Sequence, residues 1–355
     1  PGLWINAPIY DAPAYTGGAG GLLKTGAGML ELAVGNNNLS LTGGATTAGT
    51  AVVTVASTVG MQVGQIVTGT GIDVGSMVLS IDSATQFTMS RNATATNTGQ
   101  TFTAQRQSLF SNPTSLTQVL DVSQGLVWAV NSGVLGSNKA LTVVRNGATL
   151  LGGVGTTPIT GSIKLEAGAT IGALNGDAWF GGFTTDTNLL STMEVAGDAT
   201  VLVRDYVFAD NVGRTILING QLTGSGALNL VGPQLHSTAT FRLANFNTLD
   251  YAETGAGQGT SAGANTYSGT ITVNPNVNFT LQPALMPGNA TVTGKLLPSS
   301  ASIVLAGGGL ILRDDGNTTG GVSNTTFNYG NDITLSGNSL INVARNGGSA
   351  ANNTF

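Results

Sequence analysis

The sequence predicts an all-β protein, a right-handed parallel β-helix with an inserted small β-domain. Three observations lead to this fold class. The 355 residues include 53 glycines and only 8% charged residues, against roughly a quarter charged in an average globular domain. Short runs with alternating apolar residues, such as Ile163 and Leu165, are separated by Asn-Gly, Gly-Asn or Asp-Gly turns. A weak internal similarity recurs every ~20–30 residues, which is the repeat length of a solenoid.

A solenoid explains how runs this short become stable. A single run cannot bury its own apolar side, but successive coils bury each other's. A string of small β-sandwiches is the alternative, although sandwich domains usually carry longer strands and more aromatic residues than the 6% found here. Helical signals are nearly absent. The best candidate is Ser111–Gln124, where Leu116, Val119 and Leu120 have helix-like spacing and predict one or two helical turns.

We expect three parts along the chain. Residues 1–42 form the first coils, residues 43–106 form the inserted β-module, and residues 107–355 continue the β-helix with long loop excursions. Within Ala51–Gln105, short apolar runs such as Val52–Val55 depart from the repeating pattern of the rest of the chain. This segment resembles a small β-module of large repetitive bacterial surface proteins and some phage tail proteins, through "VGMQVGQIVTGTGI" and "SIDSATQFTMS". The resemblance implies a location rather than an activity.

The composition excludes several classes of function. The net charge is −5 and the 12 Lys and Arg residues are scattered, so we expect no nucleic-acid partner. The absence of cysteine excludes disulfides, thiolate metal sites and cysteine nucleophiles. No stretch approaches the ~18 apolar residues that span a bilayer, so direct membrane insertion of this segment is not expected. The opening "PGLWINAPIYDAP" has no signal-peptide pattern, and we interpret the chain as a processed or excised piece of a longer protein.

The stretch "GGLLKTGAGMLELAVGNNN" (Gly20–Asn38) first suggests a phosphate-binding loop. Such a loop requires G-x-x-x-x-G-K-[ST] before a helix, whereas Leu23 precedes Lys24 and the residues after it alternate like a strand. "GGLLKTGAGMLEL" instead resembles the first half of the repeat found in autotransporter passenger domains. The matching residues are Lys24, Thr25, Gly26, Gly28, Leu30 and Leu32.

The second half of that repeat resembles "AGANTYSGTITVNPN" (Ala262–Asn276), far downstream. The two halves are normally adjacent, and here they either close one coil after a long excursion or seed separate coils. The resemblance implies a β-helical passenger on the surface of a Gram-negative-type bacterium, anchored in the outer membrane through a barrel that would lie C-terminal to this segment. A chain without cysteine also suits passage through a membrane pore in an unfolded state.

Few residues suggest catalysis. His236 is the only histidine, so neither a histidine metal cluster nor a strong triad signal exists. β-Helices also serve as polysaccharide hydrolases or lyases, which need two carboxylates ~5–10 Å apart. The adjacent Asp314 and Asp315 would point to opposite faces of a strand. The calcium-binding motifs are missing as well, and we predict no catalytic residue, no metal and no cofactor.

The segment "NGDAWFGGFTTD" is the candidate binding patch. Trp179, Phe180 and Phe183 lie among glycines with Asp177 and Asp186 at the edges. Aromatic rings in such a loop can stack on a sugar or anchor a partner; alternatively, they fill the solenoid interior. Trp128 alternates with apolar neighbours in "GLVWAV" and is interpreted as a core residue.

The sequence therefore predicts a non-enzymatic structural or adhesive β-solenoid at the cell surface or outside the cell. Copies of the chain stacked head to tail, giving a filament, are one expected partner because solenoid ends are open strand edges. Surface glycans are the other. The alternative is a carbohydrate-active β-helix, such as a tailspike-like depolymerase, or a glycan-binding module.

Overall fold

The computed structural model describes residues 2–6, 21–33, 38–63, 65–73, 76–105, 117–130, 133–136, 139–153, 159–181, 191–207, 212–218, 220–234, 239–243, 265–281, 297–313 and 330–344. Within these ranges the backbone forms strands and turns without a helix. Three parallel sheets build a solenoid, and an antiparallel sheet forms an inserted unit. A parallel β-helix with an inserted small β-domain, as predicted, is confirmed.

The first sheet runs the whole length of the solenoid. It contains ten parallel strands, in the spatial order β1 (Leu3–Asn6), β3 (Met29–Ala33), β11 (Leu126–Ala129), β13 (Thr149–Gly152), β15 (Thr170–Ala173), β18 (Ala199–Asp205), β21 (Leu228–Val231), β23 (Thr270–Val273), β25 (Ser302–Leu305) and β27 (Asp332–Leu335). Each inner strand pairs in parallel with the strands of the preceding and following coils, which is the arrangement of a solenoid.

Among the described residues, the second and third sheets each cover part of that length, with six strands apiece. The second sheet contains β2 (Leu22–Lys24), β10 (Thr117–Val122), β12 (Ala140–Val144), β14 (Ser162–Leu165), β17 (Thr192–Val195) and β20 (Gln221–Gly224). The third sheet contains β16 (Ala178–Phe180), β19 (Thr215–Ile218), β22 (Ala239–Leu243), β24 (Val277–Leu281), β26 (Gly309–Arg313) and β28 (Leu340–Ala344). A coil passes from the second sheet to the first and then to the third.

Apolar side chains stack in columns through the interior. The strand register places one residue of each first-sheet strand in a single column, in the order Leu3, Leu30, Val127, Leu150, Ile171, Val201, Leu230, Val273, Leu305 and Leu335. The eight inner members are each at most 4% exposed. Because burying one such side chain contributes about 1.5–3 kcal/mol, this column is a main source of stability.

The inserted unit interrupts the chain of the solenoid but leaves the strand pairing between its coils continuous. Its antiparallel sheet has the order β6 (Val67–Thr68), β9 (Asn97–Ala104), β4 (Leu39–Thr46), β5 (Val52–Thr54), β8 (Gln86–Met89) and β7 (Val78–Ser83). It has its own core, which includes Phe87 and Phe102. After this unit, β10 pairs with β2 and β11 pairs with β3, so the chain resumes on the coil that it left. The predicted domain limits, residues 43–106, stay a prediction.

The structure corrects two local predictions. Thr117–Val122, within the segment predicted to form helical turns, is strand β10. It pairs with strands on both sides, and a register shift between Gln118 and Leu120 lets both Val119 and Leu120 become fully buried. That bulge produces the consecutive apolar positions that imitate helical spacing.

Trp128 is the second correction. Its neighbours Val127 and Ala129 point into the solenoid core, so the pleat directs Trp128 outward. There it packs, half-buried, in a separate small cluster with Leu126, Leu151 and Leu174.

The two halves of the split repeat lie in different coils. The first half contributes β2 and β3, and the second contributes β23. Five strands of the first sheet separate β3 from β23. Each half therefore belongs to its own coil.

Candidate functional site

The predicted binding patch lies where a coil enters the third sheet. Trp179 is the central residue of β16 and is half-buried, with Ala178 and Phe180 on either side fully buried. The alternation places Trp179 on the outer face and Phe180 in the interior. Phe180 is 1% exposed and belongs to the solenoid core, so its ring fills the interior instead of facing a ligand.

Asp177 has a structural partner. One of its carboxylate oxygens accepts a hydrogen bond from the backbone N–H of Thr215 at 2.8 Å, which ties one coil to the next. Phe183 and Asp186, the other predicted members of the patch, lie outside the described residues. Trp179 and Asp177 stay predicted binding residues.

A buried ion pair lies at the same corner. Asp205 is fully buried, and Arg214 donates to its Oδ2 atom from Nη2 at 2.5 Å and from Nε at 3.1 Å. The backbone N–H groups of Asn175 and Val207 donate to the same carboxylate at 3.1 and 3.0 Å. Four donors satisfy the charge, as a buried carboxylate requires. The cluster holds the turn after β15 against the turn after β18.

A second charged cluster lies on the outer side of the second sheet. Arg145 contacts Asp121 at 2.7 Å and Glu166 at 2.6 Å, so three successive coils contribute one side chain each. Hydrogen bonds from Arg145 hold the pKa of the Asp121 carboxyl below its ordinary value, against a smaller opposing effect of burial. A glycosidase acid needs a raised pKa. The Asp121 carboxyl is therefore unsuited to be the acid of a sugar hydrolase.

Lys24 also has a structural partner set. Its side chain is 9% exposed, and the ammonium donates to the backbone oxygens of Gly26 at 2.7 Å, Gln124 at 3.0 Å and Thr25 at 3.2 Å. Gly125 faces this turn with a φ of +70°, and a Cβ atom there would collide with the Gly26 carbonyl oxygen. The Lys-Thr-Gly segment is thus a coil corner that is closed by its own lysine, with no phosphate cradle.

Tyr267 closes the corresponding corner of a later coil. Its ring is fully buried, and its hydroxyl donates to the Gly226 carbonyl oxygen at 2.8 Å, with the Thr270 oxygen 3.1 Å away. Burial raises the pKa of the phenol, although a backbone hydrogen bond with Leu228 lowers it. Asn265 accepts a hydrogen bond from the Leu222 N–H at 2.7 Å. The "NTYSG" residues (265–269) therefore fasten their coil to the one before it.

The two ends of the first sheet expose residues that the inner coils bury. Leu335 is 63% exposed and Leu3 is 62% exposed, although both belong to the interior column. Ile333 and Ile341, which pair with the buried Ile303 and Leu310, are 42% and 46% exposed. In the described residues, the outermost strands thus expose apolar side chains whose counterparts in the inner coils are buried.

Neither a metal centre nor a membrane helix is found in the part of the chain that the structure describes. No three His, Asp or Glu side chains of these residues lie close enough to share an ion. The same residues contain no helix with the length and apolarity that crossing a membrane requires.

Comparisons with known proteins give a weak structural likeness. No protein-family model matches the chain, and no curated protein matches it. Among solved structures, the chain is similar to the Gp54 tailspike of Acinetobacter baumannii bacteriophage AP22, in complex with A. baumannii capsular saccharide, at 11% identity and a TM-score of 0.22. The alignment covers 97% of this chain and 63% of that one. At this TM-score, the saccharide bound by that protein has no bearing on the present chain.

Proposed function

We propose that this chain is a non-enzymatic structural or adhesive β-solenoid of a bacterial cell surface. The single observation that carries the proposal is the aliphatic column of the first sheet, which runs through ten coils with its inner members buried. An extended stack of this kind produces a stiff rod. Such a rod acts through its length and its exposed surface, not by catalysing a reaction.

The polar residues of the coil corners support the same role. Lys24 holds backbone carbonyls, Asp177 and Asp205 hold backbone N–H groups, and Tyr267 links two coils. All of these polar groups fasten coils to one another. The resemblance of both "GGLLKTGAGMLEL" and "ANTYSG" to passenger repeats supports a location outside the cell.

Two measurements test the proposal. Antibodies against the purified chain should label intact, unpermeabilised cells of the source bacterium, and incubation with bacterial capsular and cell-wall polysaccharides should release no reducing ends. Labelling that requires lysed cells would contradict the location. Sugar release that survives purification to homogeneity would contradict the non-enzymatic role.

We assign any adhesive contact of the third sheet to Trp179, since its ring is outward and half-buried. In a glycan array, Trp179→Ala should lose signals that the original chain gives. Trp128→Ala is the matched control, because it removes an indole from a different outer cluster. Equal loss in both variants would remove Trp179 from the proposal.

A further inference from the structure

We infer that Asn92, in the inserted unit, carries an N-linked sugar. Asn92-Ala93-Thr94 has the Asn-x-Thr pattern of an N-glycosylation acceptor, whose middle residue is not proline. Such a site belongs on an exposed turn, because an attached sugar is bulky and strongly hydrated. The segment lies between strands β8 and β9. A modified asparagine is a feature beyond the structural or adhesive role proposed above.

The two chemical groups of the pattern both face solvent. Asn92 and Thr94 are exposed, whereas Ala93 between them is 3% exposed and packs into the core of the inserted unit. Among the described residues, the Asn92 amide has no hydrogen-bond partner. The alternation of exposed, buried and exposed residues puts the amide nitrogen and the threonine hydroxyl on the same outer side. Both groups that a transferase has to recognise are therefore accessible together.

The backbone around Asn92 is held by neighbouring turns, so the exposure of its side chain requires no rearrangement. The N–H of Ala93 donates to the Thr50 carbonyl oxygen at 2.7 Å. The N–H of Thr94 donates to the Gly71 carbonyl oxygen at 3.0 Å. These bonds fix the segment on both sides of the acceptor and leave the amide directed outward.

Asn92 lies at the end of the inserted unit that is remote from the solenoid. The chain enters the first strand of the unit at Leu39 and leaves its last strand at Ala104, and these two residues are paired. At the other end of the same strand pair, Thr46 faces Asn97. The Asn92 turn leads into Asn97, which is separated from Ala104 by ~24 Å along the eight residues of β9, at ~3.4 Å per residue. This position favours access by an enzyme.

Two other triplets of this pattern lie within the described residues and are less suited to modification. In Asn278-Phe279-Thr280, the last two residues are 0% and 2% exposed because they belong to strand β24 of the third sheet. In Asn38-Leu39-Ser40, the last two residues already belong to strand β4, and Asn38 has a partner of its own. Four more triplets lie outside the described residues and begin at Asn289, Asn317, Asn324 and Asn352.

The modification is a glycosyl transfer. Its donor is a sugar activated at the anomeric carbon by a diphosphate group, and a glycosyltransferase of the producing cell catalyses the step. A bond forms between the anomeric carbon and the Asn92 amide nitrogen, while the bond from that carbon to the diphosphate oxygen breaks. The diphosphate product and one amide proton leave, and no group is oxidised or reduced.

Mass spectrometry of the chain isolated from its source bacterium tests the modification. The proteolytic fragment with Asn92 should be heavier by at least one sugar unit, and its occupancy should be at least tenfold higher than that of the fragment with Asn278. Asn92→Gln should remove the added mass. Thr94→Ala should lower the occupancy at least tenfold, because it removes the hydroxyl and keeps the asparagine. An unmodified Asn92 fragment would overturn the inference.

Thr98→Ala is the matched control, since Thr98 is an exposed threonine of the same unit that belongs to no such triplet. It should leave the occupancy unchanged, and all three variants should keep the circular dichroism of the original chain. Occupancy that survives Thr94→Ala, or an equal loss in Thr98→Ala, would also count against the assignment.

Failure here is distinguishable from failure of the proposed function. A chain with an unmodified Asn92 that still labels intact cells and releases no reducing ends removes the glycosylation site and leaves the structural or adhesive role in place. Release of reducing ends removes the non-enzymatic role whether or not Asn92 is modified.

Discussion

Replacing Tyr267 with phenylalanine removes one hydroxyl from a closed corner and keeps the ring that fills it. The hydroxyl donates to the Gly226 carbonyl oxygen at 2.8 Å, and the ring is fully buried. In Tyr267→Phe that buried oxygen loses its hydroxyl donor. Leaving one buried acceptor unsatisfied costs about 1–3 kcal/mol.

The loss should be local, because a solenoid is stabilised coil by coil. We therefore expect amide hydrogen exchange to become about 5- to 150-fold faster, at a factor of ten for every ~1.4 kcal/mol. The effect should appear in peptides covering residues 221–231 and 265–273, and not in residues 140–152. Mass spectrometry of exchanged, digested protein measures this directly.

The control is Tyr206→Phe, since Tyr206 is 43% exposed. Exchange in this variant should match the original chain. A less than twofold change in Tyr267→Phe, or an equal change in all coils, would show that the hydroxyl does not fasten this corner.

Three further changes follow from the same contacts. Burial raises the pKa of the Tyr267 phenol above its ordinary value of 10.0. The protonated phenol therefore stabilises the folded state fully below about pH 10, and this stabilisation is lost as the pH rises further. In a profile of melting temperature against pH, Tyr267→Phe should flatten the alkaline part. The pKa of the Asp121 carboxyl is lowered from 3.8. The ionised carboxylate therefore stabilises the folded state above that pH, and this stabilisation is lost as the pH falls below it. Asp121→Asn should flatten the acid part of the same melting-temperature profile. Ile171→Ala should cost about 2–5 kcal/mol in chemical denaturation because it opens a cavity in the interior column, whereas the outward Thr170→Ala should cost less than about 0.5 kcal/mol.

Each of these has a contrary result. If the melting temperatures of Tyr267→Phe and the original chain change in parallel above pH 10, the Tyr267 phenol does not contribute to the pH dependence of stability. The same holds for the Asp121 carboxyl if Asp121→Asn and the original chain change in parallel below pH 4. Equal losses of unfolding free energy in Ile171→Ala and Thr170→Ala would mean that Ile171 lies outside the core.

The alternation of apolar residues, together with the short internal repeat, predicts the solenoid. Ile163 and Leu165 alternate, and both are buried as the pattern requires. The pleat also explains the part of the site that sequence reasoning missed: Trp179 and Phe180 are neighbours on one strand and point to opposite faces, so they cannot form one binding surface. A strict application of period two would have separated them.

Other features depended on long-range register. The partner of the "ANTYSG" residues is the corner at Gly226, and the stretch "QLTGSGALNL" around it stands one coil earlier, where the first half of a repeat would be expected. That stretch lacks the Lys-Thr-Gly signature, so sequence comparison with the repeat does not identify it. The buried pair of Asp205 and Arg214 was visible in sequence only as nearby opposite charges, because its burial depends on turns from two coils.

The three sheets do not share the same extent, and this has a mechanical consequence. Within the described ranges, only the coils between Ser162 and Leu243 have strands in all three walls of the prism, from β14 to β22. In the other described coils, strands are found in two of these walls, and Thr266 and Ser268 extend the second wall past β20 through backbone hydrogen bonds alone. Heat or tension should therefore separate the coils with two walls first, and the segment with three walls should survive as the protease-resistant remnant of a partly melted rod.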